Sequence, residues 1–235
     1  MLRIEILYPE VCNLYGDMGN VQYLKQCLPE AEFIETALTD KPAFATTDVN
    51  MIYMGSMTER VQEKVIDRLK PYKEQLQAHI DKGTVIIFTG NAYELMGQYI
   101  EDDGRKIECL GFFPYYAKRD MMNRHFSVIL AEFEGKDVVG FKDQFTMSYN
   151  NDDNQAFMKI VKGEGYHAGA AFEGVRSNNF FGTYLLGPFL IMNPDFTEYI
   201  MGIMGAGNGR LAFEDAVRAA YDKRVHEFKT KSVIK

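Results

Sequence analysis

The stretch Thr84-Val-Ile-Ile-Phe-Thr-Gly-Asn-Ala-Tyr-Glu-Leu-Met-Gly97 decides the fold. Its opening TVIIF is β-branched and apolar without alternation, the pattern of a central parallel strand covered on both faces. Gly83 suits the left-handed stop of a preceding helix. Ala92–Tyr99 reads as a helix, so the stretch is strand, tight turn, helix. Toward the amino terminus, Val49–Met54 (VNMIYM) is a second buried strand bounded by Gly55-Ser56. Thr58, with Glu59 behind it, opens a helical pattern that runs to Lys82, and Pro71 opens a second helix within it. Leu2–Leu7 is a short apolar strand, followed by a polar, glycine-containing loop from Tyr8 to Asn20. Asn20 is placed to cap a helix over Val21–Leu28 that ends at Pro29, and Ala31–Ala37 is a further strand.

Beyond residue 105 the texture changes. Phe126–Phe133 alternates, Val138–Phe141 and Phe145–Tyr149 are short, and Phe180–Leu185 is another strand. Gly135-Lys136, the run Asn150–Asn154 and Ser177-Asn178-Asn179 punctuate them as turns. Two helices follow, near Pro194–Met204 and Leu211–Lys229, with the glycine cluster Gly205–Gly209 reading as a hinge. The expected architecture is therefore a βαβ core joined to an antiparallel section.

Composition narrows the function. The 235 residues are 46% hydrophobic and 25% charged, enough to bury a sizeable core. With 26 Lys+Arg against 33 Asp+Glu, the net charge is −7. No dense basic stripe offers the footprint a nucleic acid needs, and the mixed-sign stretch Glu214–Lys231 reads as a solvated helix face. No apolar run reaches membrane-span length, and the start MLRIEILYPEV lacks a secretory n-region, so a cytoplasmic location is expected. Three cysteines without a C-x-x-C argue against a disulfide framework and a thiolate metal site; no metal and no cofactor is expected.

Glycine-containing loops at the carboxyl ends of parallel strands are where such folds place their sites. Here these are Asn13–Asn20, Gly55–Arg60 and Thr89–Gly97. None is a phosphate loop, since G-x-x-x-x-G-K-[ST] and a strand-following G-x-G-x-x-G are both missing.

The loop Asn13-Leu-Tyr-Gly-Asp-Met-Gly-Asn20 matches N-L-Y-x-D-x-G-N. Met54-Gly-Ser-Met-Thr-Glu-Arg60 stands at a glycine-rich strand end, Phe88–Gly97 parallels C-G-G-Y-Q-x-L-G, and Phe181-Gly-Thr-Tyr-Leu-Leu-Gly-Pro-Phe189 parallels G-T-Y-x-H-G-P. In order and spacing, these segments over residues 1–205 resemble the cobyric acid synthase-like branch of the class I glutamine amidotransferases. Within it they are similar to the small glutaminase subunit of lipid II isoglutaminyl synthase, a peptidoglycan-amidating enzyme. The resemblance implies a flavodoxin-like α/β fold with a mostly parallel central sheet and an antiparallel extension. Residues 1–205 would form the amidotransferase-like domain and 206–235 a helical extension. It implies a cysteine nucleophile on the strand-to-helix turn, a histidine base, and an oxyanion hole of backbone N–H groups. It also implies a Mur-ligase-like, ATP-dependent amidating partner that uses the ammonia.

Carried over residue by residue, the nucleophile position is Gly90 and the base position is Leu186, so both reactive side chains are missing. Gly55, Ser56 and Asn91 fall at the oxyanion-type positions, with Ser56 and Met57 where relatives carry glycine. Asn13, Tyr15, Asp17, Asn20, Arg124 (beside Asn123) and Tyr184 fall at substrate-pocket positions. Glycine at an elbow relieves strained dihedrals, and leucine fills the place of an imidazole with apolar volume. The expected role is binding: a subunit that has kept the scaffold, holds its ligase partner, and retains a pocket for glutamine or a related small molecule. The rival is a working glutaminase with relocated residues, for which Cys12 with His125 or His167 are the candidates. A stand-alone small-molecule binder is the third reading. Cys27 and Cys109 read as core, His79 and His226 as solvent-facing, Thr89 as a strand-end hydroxyl, and Asp152-Asp153 as turn residues.

Overall fold

The computed structural model describes residues 1–207 and 209–231, so Asn208 of the glycine cluster lies outside the described residues. Short apolar strands build its centre. β1 (Arg3–Leu7), β2 (Glu32–Thr36), β3 (Met51–Met54), β4 (Val85–Thr89) and the strand Phe180–Thr183 run parallel in the order β2-β1-β3-β4 and then Phe180–Thr183. Val175–Ser177 closes that edge antiparallel. Side-chain alternation splits these strands between two cores. Ile4, Ile6, Met51, Tyr53, Val85, Ile87 and Phe181 share one face with residues of α1 (Met18–Cys27), α4 (Phe189–Met192), α5 (Pro194–Ile203) and α6 (Glu214–Thr230). Ile52, Met54, Ile86, Phe88 and Phe180 share the other with α2 (Glu59–Leu69) and α3 (Lys73–Lys82).

The antiparallel extension is two four-stranded sheets. One holds Tyr99–Asp102, Arg105–Glu108, Tyr116–Arg119 and Thr146–Tyr149; the other holds His125–Phe133, Lys136–Gln144, Met158–Lys162 and Phe172–Glu173. The first contains one parallel strand pair, Tyr99–Asp102 with Tyr116–Arg119, in register from Ile100 opposite Ala117 to Asp102 opposite Arg119. Among the described residues no helix is long and apolar enough to cross a membrane.

Several elements differ from expectation. α1 starts at Met18, and Asn20 does not cap it. Its side chain turns inward instead, donating to Tyr53 Oη at 2.9 Å and accepting from Leu190 N at 2.8 Å. The helix expected over Ala92–Tyr99 is a 3₁₀ helix over Gly90–Met96, and Tyr99 begins a strand. A Cβ at Gly97 would lie 2.7 Å from Tyr115, so the chain must turn away there. His79 is buried, not solvent-facing: its Nδ1 lies 2.9 Å from Thr84 Oγ1 and its Nε2 3.0 Å from the Phe44 carbonyl. That carbonyl can only accept, which puts the ring proton on Nε2. Glu5, mid-strand in β1, is buried on hydrogen bonds from Ala43 N, Phe44 N and Thr36 Oγ1. α5 packs Phe196, Ile200 and Met201 into the core. Gly83 has φ +82 and ends α3 as expected.

Candidate functional site

In-register pairing aligns the carboxyl ends of the parallel strands. Met54 stands opposite Phe88, and Thr89 opposite Thr183. The chain leaves these ends through Tyr8–Asp17, Gly55–Thr58, Gly90 and Tyr184–Pro188, and the four segments meet.

Asp17 ties them together. Its fully buried carboxylate accepts from Ser56 N at 2.5 Å and Gly187 N at 2.6 Å. Burial raises its pKa, and the amide hydrogen bonds oppose that rise. Tyr53 Oη donates to the Asp17 carbonyl at 3.1 Å, accepts from Asn20, and sits 3.1 Å from Thr89 Oγ1. Close approach explains the small residues nearby: a Cβ at Gly187 would lie 2.5 Å from Asp17 Cα, and one at Gly19 2.9 Å from Pro188 Cβ.

The turn after β4 is a sharp elbow, with Gly90 at φ +58. A Cβ on Gly90 would stand 2.5 Å from Ser56 Cβ and 2.9 Å from Leu186 Cδ2. Positions 90 and 186 therefore face each other, and the room a longer side chain would need at 90 is occupied. The backbone donors at the strand end are also committed. Ser56 N–H is bound to Asp17, and Met57 N–H donates to Asn91 Oδ1 at 2.9 Å while Asn91 Nδ2 returns a bond to Met57 O at 2.7 Å.

A cavity of about 210 Å³ opens over this elbow. Of the residues singled out from the sequence, Tyr15, Ser56, Gly90, Asn91 and Leu186 line it. Asp17, Asn20 and Tyr184 are buried away from it, Gly55 is packed against Cys12 and Asp17, and Asn13 bonds Pro9 O. Arg124 is exposed at its rim, gripping Asp143 with Nε and Nη2, both at 2.5 Å, and reaching Tyr15 Oη at 3.4 Å. No cysteine or histidine is among the lining residues. Cys12 lies one layer behind: it is buried, its Sγ is 3.8 Å from Met57 Sδ, and burial pushes its thiol pKa up. His167 stacks on Tyr149, its ring centroid 5.0 Å away.

Sequence reading missed Glu59, Glu94, Asp143, Gln144 and Thr146 on the cavity wall. Glu94 is wholly buried. Its Oε2 accepts from Gln62 Nε2 at 2.9 Å, and Gln62 Oε1 accepts from Arg119 Nη2 at 2.5 Å. Burial pushes the Glu94 carboxyl up to about 7 against the pull of Arg119. A larger hollow, about 480 Å³, lies among Leu2, Leu28 and Met204 at the amino end of the sheet. The carboxyl-end cavity is the better functional candidate, because the strand ends and their loops converge there.

Residues 3–194 match the CobB/CobQ-like glutamine amidotransferase domain. The chain belongs to that family. Among curated relatives, it is 28% identical over 197 residues to the GatD subunit of lipid II isoglutaminyl synthase (glutamine-hydrolyzing) from Streptococcus pneumoniae, covering 82% of this chain and 76% of the relative. The Staphylococcus aureus protein of the same name is 26% identical over 194 residues, covering 80% and 78%. Among solved structures, PurLQS from Thermotoga maritima aligns with a TM-score of 0.53 at 15% identity, over 95% of this chain and 99% of that one. The glutaminase domain of Trypanosoma brucei CTPS with bound acivicin aligns with a TM-score of 0.52 at 11% identity, over 88% and 94%. At these identities the structural likeness concerns the fold alone: a class I glutamine amidotransferase fold. In this CobB/CobQ-like chain, the departures from the motifs gather at the elbow and opposite it, while the Asp17 strap that joins the motif segments is intact.

Proposed function

We propose that this chain is a glutamine amidotransferase-like subunit that has lost glutamine hydrolysis and serves by binding, holding a Mur-ligase-like, ATP-dependent partner in peptidoglycan amidation. The observation that carries the reading is Gly90, an elbow residue with no side chain, facing Leu186, with Ser56 in the space a nucleophile would occupy. A thioester route needs a thiolate and a group to take its proton; neither stands here. Ser56 N–H and Met57 N–H, turned to Asp17 and Asn91, add to the argument by leaving two strand-end donors engaged. The lipid II pathway comes from the two GatD relatives, named as a subunit of lipid II isoglutaminyl synthase, and the Mur-ligase-like character of the partner comes from the motif resemblance. Relocated catalysis through Cys12 gains no support, since its thiol is walled off by Met57 and no imidazole adjoins it in the cavity.

The test is ammonia release from glutamine by the purified chain, with and without a thiol-alkylating reagent. The expected rate equals the buffer blank in both. Turnover well above blank that is abolished by Cys12→Ser overturns the reading.

A further inference from the structure

We propose that the cavity over the elbow is a binding site for a small primary ammonium ion, with Glu94 as its principal acceptor. Two side chains of the cavity wall leave acceptor atoms unused. Glu94 is 1% exposed, and its Oε1 has no hydrogen-bond partner; the Thr146 hydroxyl favours the charge from nearby without bonding geometry. Gln144 spends its Nε2 on Thr146 O and leaves its Oε1 buried and unpartnered. An acceptor buried without a donor destabilises the fold, so both atoms call for one. An ammonium group supplies up to three.

Charge selects the same ligand. The cavity is lined by three carboxyl side chains, Glu59, Glu94 and Asp143, and by no lysine or arginine. Arg124 at the rim pairs with Asp143 and offsets that carboxylate, while Arg119 is bonded to Asp102 and Gln62, which leaves Glu59 and Glu94 as the cavity carboxylates without an ion pair among the described residues. Glu59 sits in the first turn of α2 and offsets the positive end of that helix. A carboxylate entering this space meets acidic groups, whereas a cation meets Glu94. Leu14, Met57, Phe145 and Leu186 supply apolar wall for a short alkyl group. This inference rests on the functional reading in one respect only: the ligand is held and not cleaved.

The test uses the full chain at pH 8, with methylammonium chloride, tetramethylammonium chloride and sodium chloride at equal ionic strength, read by thermal shift and titration calorimetry. Methylammonium is expected to raise Tm saturably. Tetramethylammonium has the same charge and no N–H, and is expected to match sodium. Glu94→Gln keeps the shape and removes the charge, and is expected to weaken methylammonium binding roughly 10-fold or more. Equal responses to the two organic cations, or undiminished binding by Glu94→Gln, overturn the proposal. The two readings fail separately, since glutamine turnover overturns the loss of hydrolysis whatever methylammonium does.

Discussion

Glu94 is a carboxylate that the fold buries with one oxygen bonded and one bare, and stability must carry the mark of it. In the unfolded chain its carboxyl ionises near the ordinary 4.5; in the folded chain burial moves this to about 7. Between those values the folded state keeps a proton that the unfolded state releases. Its contribution is therefore most favourable below about pH 4.5 and is lost as pH rises to about 7, by on the order of 3 kcal/mol. Arg119 opposes the shift and Glu59 reinforces it, while Cys109, Tyr115 and Tyr184, which also face Glu94, stay neutral over that range. Urea unfolding at pH 5 and pH 8 should show Glu94→Gln losing less stability than the parent between the two, and being the more stable at pH 8. Parallel pH profiles for the two proteins would mean that Glu94 ionises as an exposed residue does. Glu94 stands at the glutamine of the C-G-G-Y-Q-x-L-G motif, but nothing in the neighbouring sequence announces its burial. Its burial depends on Gln62 and Arg119, far away in the chain, just as Glu5 depends on Thr36, Ala43 and Phe44, and His79 on Phe44 and Thr84. Gly90 and Leu186 could be read because motif letters fix what they replace; the burial of a polar residue, inside a motif or outside one, depends on distant partners that no motif names.

Among the elements, the contact between the β4 elbow and the end of β3 limits what the site can become. β4 itself was plain in the sequence, since five consecutive buried positions need five residues that tolerate burial. The helix after it was misassigned, because a tight 3₁₀ turn buried on nearly every side carries no helical periodicity. The strands Tyr99–Asp102 and Arg105–Glu108 give a weak signal for a related reason, since YIED and RKIE each turn a single isoleucine to the core, too few to show a period. At the elbow, a side chain at 90 meets two costs: a left-handed backbone, about 1–3 kcal/mol for a residue with Cβ, and a clash with Ser56 Cβ at 2.5 Å. Gly90→Ala is expected to lose roughly 2–4 kcal/mol in urea unfolding. Ser56→Gly removes the obstructing carbon, so the pair should lose clearly less than the sum of the singles, because residues in contact do not add. Strict additivity would show that the two positions do not touch. Restoring a nucleophile by Gly90→Cys therefore needs Ser56→Gly beside it before Leu186→His has a thiol to act on.

On the scale of the whole molecule, the question is whether the last helix belongs to the amidotransferase body. The family match ends at 194, inside the start of α5, yet α5 is core: Phe196, Ile200 and Met201 pack under the central sheet. α6 is different. Val217 is its one buried residue, Tyr221, Val225 and Phe228 are half-buried, and polar contacts add to the attachment. Tyr221 Oη donates to Asp137 O at 2.7 Å, Lys229 pairs with Asp137 at 2.6 Å, and Arg218 bridges Asp195 and Glu198. Burying one valine contributes about 1.5–3 kcal/mol, and exposed ion pairs contribute about 0–1 kcal/mol each. A chain ended after Phe213 is therefore expected to unfold in one cooperative step, losing about 2–4 kcal/mol, a fraction of what a body with two hydrophobic cores retains. Because the elbow cavity draws nothing from α6, the shortened protein should also respond to methylammonium as the full chain does. A shortened chain that melts without a cooperative transition would place α6 within the folding unit. The division of the chain into an amidotransferase-like domain and a helical extension would then have to be abandoned.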